Sequence, residues 1–331
     1  QRNEDTKLYD LKCTIYELLF KLFISNDISL NSLYVKICHS QHVLNVMIFN
    51  EICKKPKFLS DIKYFTLDFD RCKVIPNLPI PSFEYSPSAI TSNKHFTIYF
   101  NSKKNLSERN LKYLIKSQTQ LLSLTLYTIS SKVAYLMSAL KYCSNTLTSI
   151  KLNSCDFNGM PSLNGLNYLI HLESLQFKHC KVITVQVFRP LLEISTPLKI
   201  KTLTLEGLIQ FLHISGIVHV DIVQLFKLIT HVRKHLQYLS LQIRNHRQPC
   251  FIESDYEQQL RVSSMILTNL GQILPDTLKY LELKLVIDPI KLKIFLDNCK
   301  HIVGLNSLLV MNNSQNDNIF DVLKEFVREK K

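Results

Sequence analysis

Apolar positions repeat in a fixed order along much of this chain. Leu147, Ile150 and Leu152 are followed by Cys155, and twenty-five residues later Leu172, Leu175 and Phe177 are followed by Cys180. Side chains alternate across an extended strand, so Ile150 and Leu152 share one face while Ser149, Lys151 and Asn153 take the other. The phrase thus predicts a short strand with one face inward. The cysteine falls where the chain turns away, placed to meet backbone groups left open by the bend.

Further copies begin at Leu121, Ile200, Leu236, Leu278 and Leu305, weaker ones at Leu30 and Ile62, and the most degenerate one carries Phe96 and Ile98 with Asn93 in its first slot. The steps between successive copies are 32, 31, 28, 26, 25, 28, 36, 42 and 27 residues. A phrase of this form at a period of roughly 20–29 residues is the signature of leucine-rich repeats. One such repeat cannot bury its own apolar face, so neighbours must stack. The expected fold is α/β: a leucine-rich-repeat solenoid, or horseshoe, with a parallel concave sheet and convex helices.

Helical spacing appears between the strands. Helices are predicted near Ser107–Ser117, Ser131–Cys143, Val185–Glu193, Val218–His235, Asp255–Leu274, Pro289–Cys299 and Asn318–Glu329. Strands joined by helices imply parallel pairing. The two longest steps fit the longer helices at Val218–His235 and Asp255–Leu274. From Asp5 to Phe23, Leu8, Leu11, Ile15, Leu18, Leu19 and Leu22 recur at helical intervals, and a second helix is expected near Val43–Lys54. Residues 1–60 are therefore read as an irregular N-terminal helical cap with degenerate repeats. Residues 71–92 carry Pro76, Pro79, Pro81 and Pro87 and read as an inserted loop, because proline interrupts both helix and central strand. The clearest repeats span 93–315, and 316–331 form a C-terminal capping helix. One elongated solenoid over 1–331 is the expected organisation.

Composition narrows the classes. The chain has 331 residues, 46% of them hydrophobic, and no apolar run reaches the roughly 18 residues that span a bilayer. No charged-then-apolar leader opens it, so a cytoplasmic or nuclear setting is expected. Nine cysteines, several at repeat positions such as Cys155 and Cys180, fit free thiols better than a disulfide framework. Six glycines leave little material for a phosphate-cradling loop.

The formal net charge is +13, which raises the alternative of a basic solenoid that binds nucleic acid. The outward strand positions decide against it, because Lys151, Lys178 and Lys284 share that face with Asp68, Glu206 and Glu282. The excess of Lys and Arg falls mostly on predicted helices and loops. A polar, tyrosine-bearing face suits protein recognition. Tyr127, Lys151, Asn153, Gln176 and Lys178 form the expected protein-binding patch on the concave face. His231 and His235 stand four apart, but Val232 occupies the place of the glutamate that a zinc protease requires. Cys38, His39, His42 and Cys53 lack a second close-spaced ligand pair. No catalytic set, metal or cofactor is expected, and no enzymatic activity.

The phrases at 147–180, with Cys-Ser-Asn-Thr-Leu before the first and Pro-Leu-Lys-Ile-Lys-Thr-Leu-Thr-Leu at 197–205, resemble the leucine-rich region of the fungal F-box/leucine-rich-repeat group. The resemblance covers roughly residues 100–310. It implies the substrate-recognition region of an F-box-type ubiquitin ligase receptor, with a protein target on the concave face. An F-box is a short helical segment ahead of the repeats, and none is legible in residues 1–30. The half that would engage the implied Skp-type adaptor is therefore expected either upstream of Gln1 or not at all. The alternatives are a basic solenoid that binds nucleic acid and a repeat-built regulator or scaffold without ligase function.

Overall fold

A computed structural model describes residues 11, 14–15, 18–19, 21–23, 25–26, 30–36, 62–69, 94–100, 115–116, 118–128, 133–157, 162–180, 185–194, 198–206, 218–243, 253–312 and 319–329. The chain divides into two compact units, Gln1–Thr148 and Ser149–Lys331. Both are α/β, with strands that pair in parallel in chain order. The predicted helix near Val43–Lys54, the proline-bearing segment 71–92 and Cys38, His39, His42 and Cys53 lie outside the described residues.

The first unit holds β1 (Ser32–Lys36), β2 (Tyr64–Phe69), β3 (His95–Phe100) and β4 (Ser123–Thr128). They pair without slip: Leu33 stands beside Phe65, Phe65 beside Phe96, and Phe96 beside Leu124. The weak copies at Leu30, Ile62 and Phe96 are therefore real members of the series. Leu33, Ile62, Phe65, Leu67, Phe96 and Ile98 are buried, Leu30 and Val35 of the first copy only partly so, and the Phe65 and Phe96 rings stack at 5.4 Å. Helix α1 (Val133–Ala139) runs into a 3-10 turn at Leu140–Cys143, where the Cys143 thiol donates to the Ile115 and Gln118 carbonyls at 3.3 Å. Burial pushes that thiol up to about 12. Near the N-terminus, described residues between 11 and 25 are helical. Leu11, Ile15, Leu18, Leu19 and Leu22 form the anticipated stripe, and all five are exposed.

The second unit holds β5 (Ser149–Asn153), β6 (Ser174–Lys178), β7 (Thr202–Glu206), β8 (Tyr238–Gln242), β9 (Tyr280–Leu285) and β10 (Ser307–Asn312). Again the register never slips. Ile150, Leu175, Leu203, Leu239, Leu281 and Leu308 stand in one row across the strands. The inward residues of β5 to β9 are fully buried, whereas Leu308 and Val310 of the terminal strand β10 are partly exposed. Between the strands run α2 (Val185–Leu192), α3 (Val218–Val232), α4 (Glu253–Ile273) and α5 (Pro289–Asn298), and α6 (Ile319–Glu329) follows β10. Each helix packs on the next. These ranges match the helices expected from apolar spacing to within a few residues. Among its described residues the shortest repeat step carries a 3-10 turn at Asn164–Tyr168 in place of an α-helix.

Local chemistry fixes where elements start and stop. Most strands are entered by a forked bond in which two successive N–H groups share one carbonyl. Lys201 and Thr202 donate to Glu173, Gln237 and Tyr238 to Lys201, and Lys279 and Tyr280 to Gln237, at 2.7–3.0 Å. The carbonyl always belongs to the residue before the preceding strand or one place from it, so each strand indexes the next. After β5 and β6 the chain bends through Ser154 and His179, both at φ 54°. These equivalent slots in the two clearest repeats adopt the left-handed conformation that costs a non-glycine residue about 1–2 kcal/mol. The bend turns Cys180 inward, where its thiol donates to the Leu152 carbonyl of the neighbouring strand at 3.3 Å and to Lys178 at 3.4 Å. At α5, Pro289 takes the first turn and Asp288 accepts from the Ile290 N–H at 2.8 Å, a cap on an otherwise open helix start. Gly271 lets α4 meet α5 closely, since a Cβ there would lie 2.7 Å from that of Asn298. No helix among the described residues is long and apolar enough to cross a membrane.

Inward and outward positions on one strand should differ sharply in cost. Leu203→Ala is expected to destabilise the protein by about 2–5 kcal/mol. Its outward neighbour Thr202→Ala should stay within about 0.5 kcal/mol, both read by chemical denaturation. Equal losses would contradict the alternation. Cys143, Cys155, Cys180 and Cys299 are all buried and free. In native protein at neutral pH they should resist N-ethylmaleimide and react only in denaturant, which peptide mass mapping would show.

Candidate functional site

Zero-slip pairing has a second consequence. Equivalent outward residues line up across strands about 4.8 Å apart, which is the spacing of stacked rings. In the first unit Tyr64 stacks on His95 at 4.7 Å, and Tyr99 on Tyr127 at 4.2 Å. In the second unit Tyr238 stacks on Tyr280 at 4.4 Å with only 3° between the planes. Each pair joins direct cross-strand neighbours. The core does not need these rings. They form aromatic ridges on the opposite face of the sheet.

Polar groups fill the space beside the rings, and several are buried. In the first unit Asp68 is buried and accepts a hydrogen bond from the Tyr34 hydroxyl. Burial raises the Tyr99 hydroxyl above its ordinary value, as do neighbouring Tyr127 and Asp68. In the second unit Glu282 of β9 lies almost wholly buried on the outward side of the sheet. Lys284 approaches it at 2.7 Å, Ser240 donates at 2.8 Å and the Tyr238 hydroxyl at 3.3 Å. Burial alone would push the carboxyl up. The bonds from Lys284 and Ser240 outweigh it and hold Glu282 below the usual carboxylate value. Tyr238 is raised, first by burial and then by the Glu282 charge.

The anticipated patch is partly assembled. Lys151 stands directly beside Gln176, and Asn153 beside Lys178, across β5 and β6. Tyr127 belongs to the first unit, where Tyr99 is its stacking partner. Lys178 is not a free cation, since it pairs with Glu206 at the end of β7 at 2.9 Å. The Gln176 amide nitrogen donates to Ser174 at 3.2 Å. Lys151 has no carboxylate partner among the described residues. Asn153 is 4% exposed, and its amide nitrogen is buried without a hydrogen-bond partner.

The alternation was not extended to the copies at Leu30 and Phe96, and so missed Tyr34, His95 and Tyr99 on β1 and β3. Extending the alternation to the degenerate copies would have found them. The acids were also treated as separate charges. The signals for the pairings were Glu206 one repeat after Lys178, and Lys284 two residues after Glu282. His231 buries a ring nitrogen without a partner. Among the described residues no three His, Cys, Asp or Glu side chains are grouped to hold a metal.

The Glu282 cluster gives a pH-dependent expectation. A carboxyl held below its unfolded value of about 4.3 stabilises the fold above that pH and loses this contribution as pH falls through its folded value. Lys284→Ala should therefore cost about 1–3 kcal/mol at neutral pH. The gap to the parent protein should close in acid once Glu282 is protonated in both, and denaturation curves across pH would check it. No family model and no curated protein matches the sequence.

Proposed function

We propose that this chain is a leucine-rich-repeat interaction module of the horseshoe type, which binds a protein through the outward face of its parallel strands. The observation that carries the reading is the in-register ridge of Tyr238 and Tyr280 beside the satisfied Glu282–Lys284–Ser240 cluster. A sheet needs one face for its core. Here the other face has been built as well, with rigid aromatic area and fixed polar groups, the composition favoured in protein-binding hot spots. By kinship of the repeat phrase, the role is target recognition for an F-box-type ubiquitin ligase, in the cytoplasm or nucleus, with a Skp-type adaptor engaged elsewhere in the assembly. The reading needs no catalytic group and no cofactor.

The charge distribution bears on the alternatives. Lys178 and Lys284 are each neutralised by a glutamate on the same face, so the outward surface of the second unit is no stripe of free cations. A phosphate backbone finds little there to release counterions against. A repeat-built scaffold without ligase function would use the same face, and only the adaptor separates the two.

The test uses the intact chain and the protein partner that crosslinks to it in cells, identified by mass spectrometry. Tyr238→Ala/Tyr280→Ala should weaken that complex by about thirtyfold or more, the scale of a hot spot of about 2 kcal/mol. A charge change on the helical side, Lys227→Glu, should leave it unchanged. A partner held equally well by the tyrosine double variant would remove the outward face from the account. Reconstitution with a Skp-type adaptor then separates receptor from scaffold.

A further inference from the structure

Four lysines, with Lys36 beside Asp68 in register, and three acids stand at outward strand positions, and they do not all cancel. In the second unit Lys178 is matched by Glu206 and Lys284 by Glu282. In the first, Asp68 is bonded to the Tyr34 hydroxyl. Lys151 is left over, half-buried on β5 with no carboxylate against it among the described residues.

Two residues further along the same face stands Asn153, about 7 Å away by strand geometry. Its side-chain amide is buried yet donates to nothing. A buried amide without a partner costs about 1–3 kcal/mol, and buried polar groups in folded proteins are rarely left that way. The same alternation that buries Ile150 and Leu152 points Lys151 and Asn153 to the outward side. A free cation and an orphaned donor thus lie together, beside partners that are already satisfied.

We infer that Lys151 and Asn153 form a subsite for a carboxylate, an aspartate or glutamate side chain presented by an acidic segment of the protein partner. The inference rests on the interaction-module reading and supplies the chemistry of its partner. One carboxylate has two oxygens: the Lys151 ammonium takes one, and the Asn153 side chain, whose amide nitrogen is closed to solvent in the free protein, turns to offer its N–H to the other. A charge-assisted bond of this kind is stronger than a neutral one. The neighbouring Glu206 favours the same choice. It neutralises Lys178 and leaves one net positive charge across β5 and β6, enough for a monoanionic carboxylate and poorly suited to a run of phosphates.

The probe is an array of short synthetic peptides in which acidic, neutral and basic residues are permuted, read with the intact chain and followed by fluorescence anisotropy on the strongest binders. Binding should concentrate in peptides carrying Asp or Glu. Asn153→Leu, close to the original in size, should weaken it about tenfold while the melting temperature holds or rises, because an unsatisfied polar group is removed. A purely structural asparagine would show the reverse. Lys151→Glu should abolish acidic binding and shift preference to basic peptides, and Lys227→Glu on α3, with the same change in net charge, should do neither.

Equal weakening by Lys151→Glu and Lys227→Glu would overturn the inference in favour of diffuse attraction to a basic protein. Acidic binding displaced by a single-stranded oligonucleotide, with a steep salt dependence, would overturn it in favour of nucleic acid. Neutral peptides that depend on Tyr238 and Tyr280 but ignore Lys151→Glu would overturn it while leaving the interaction-module reading intact. That reading falls separately, by the tyrosine double variant.

Discussion

Each strand of this protein carries two apolar side chains that its own repeat cannot cover. Ile150 and Leu152 are buried because Leu175 and Phe177 stand beside them in register, and those in turn because of Leu203 and Leu205. A slip of one residue would turn every inward side chain to the other face. The burial of one repeat therefore sets the register of the next. Most other features of the fold follow from this dependence.

Register is protected from variation in repeat length. The steps range from 25 to 42 residues, and the difference is absorbed away from the strands, by a 3-10 turn at Asn164–Tyr168 in one case and the 21-residue α4 in another. The forked bonds from Tyr280 and Lys279 to Gln237, and from Tyr238 and Gln237 to Lys201, reset the alignment at each strand start whatever has intervened. Cysteine at the bend does similar work at the other end, since Cys180 reaches back to Leu152. Burial of the thiols at Cys143, Cys155, Cys180 and Cys299 gives these described cysteines a structural place.

Most of the fold was legible because its information is periodic. Even the degenerate copies at Leu30 and Phe96 became strands, and six of the helices fell where apolar spacing put them. The division at Thr148 was not legible, because the repeat phrase runs through it without a break. The candidate site was legible only in part. Alternation assigns Lys151, Asn153, Gln176 and Lys178 to the outward face, but which charges meet depends on residues a full repeat away. Lys178 looks free in its own phrase and is neutralised by Glu206, 28 residues on. Asn153 looks like an exposed strand residue, yet it is almost wholly buried. Periodicity assigns faces, whereas side-chain length and crowding decide burial.

The outward face also separates two kinds of polar burial. Glu282 is desolvated, but three donors surround it, so it strengthens the sheet and holds the Tyr238–Tyr280 ridge in place. Asn153 is desolvated with no return for its amide. The two cases differ in what a ligand can add. A satisfied cluster offers shape and rigidity, and a partner that disturbs it must first break what is there. An orphaned donor beside an unmatched lysine has already lost its water, so a carboxylate that meets it as the Asn153 side chain turns has no water to displace there. Stability given up at one position in the free protein is thereby recovered on binding, and selectivity arises because only an acceptor of the right charge can recover it.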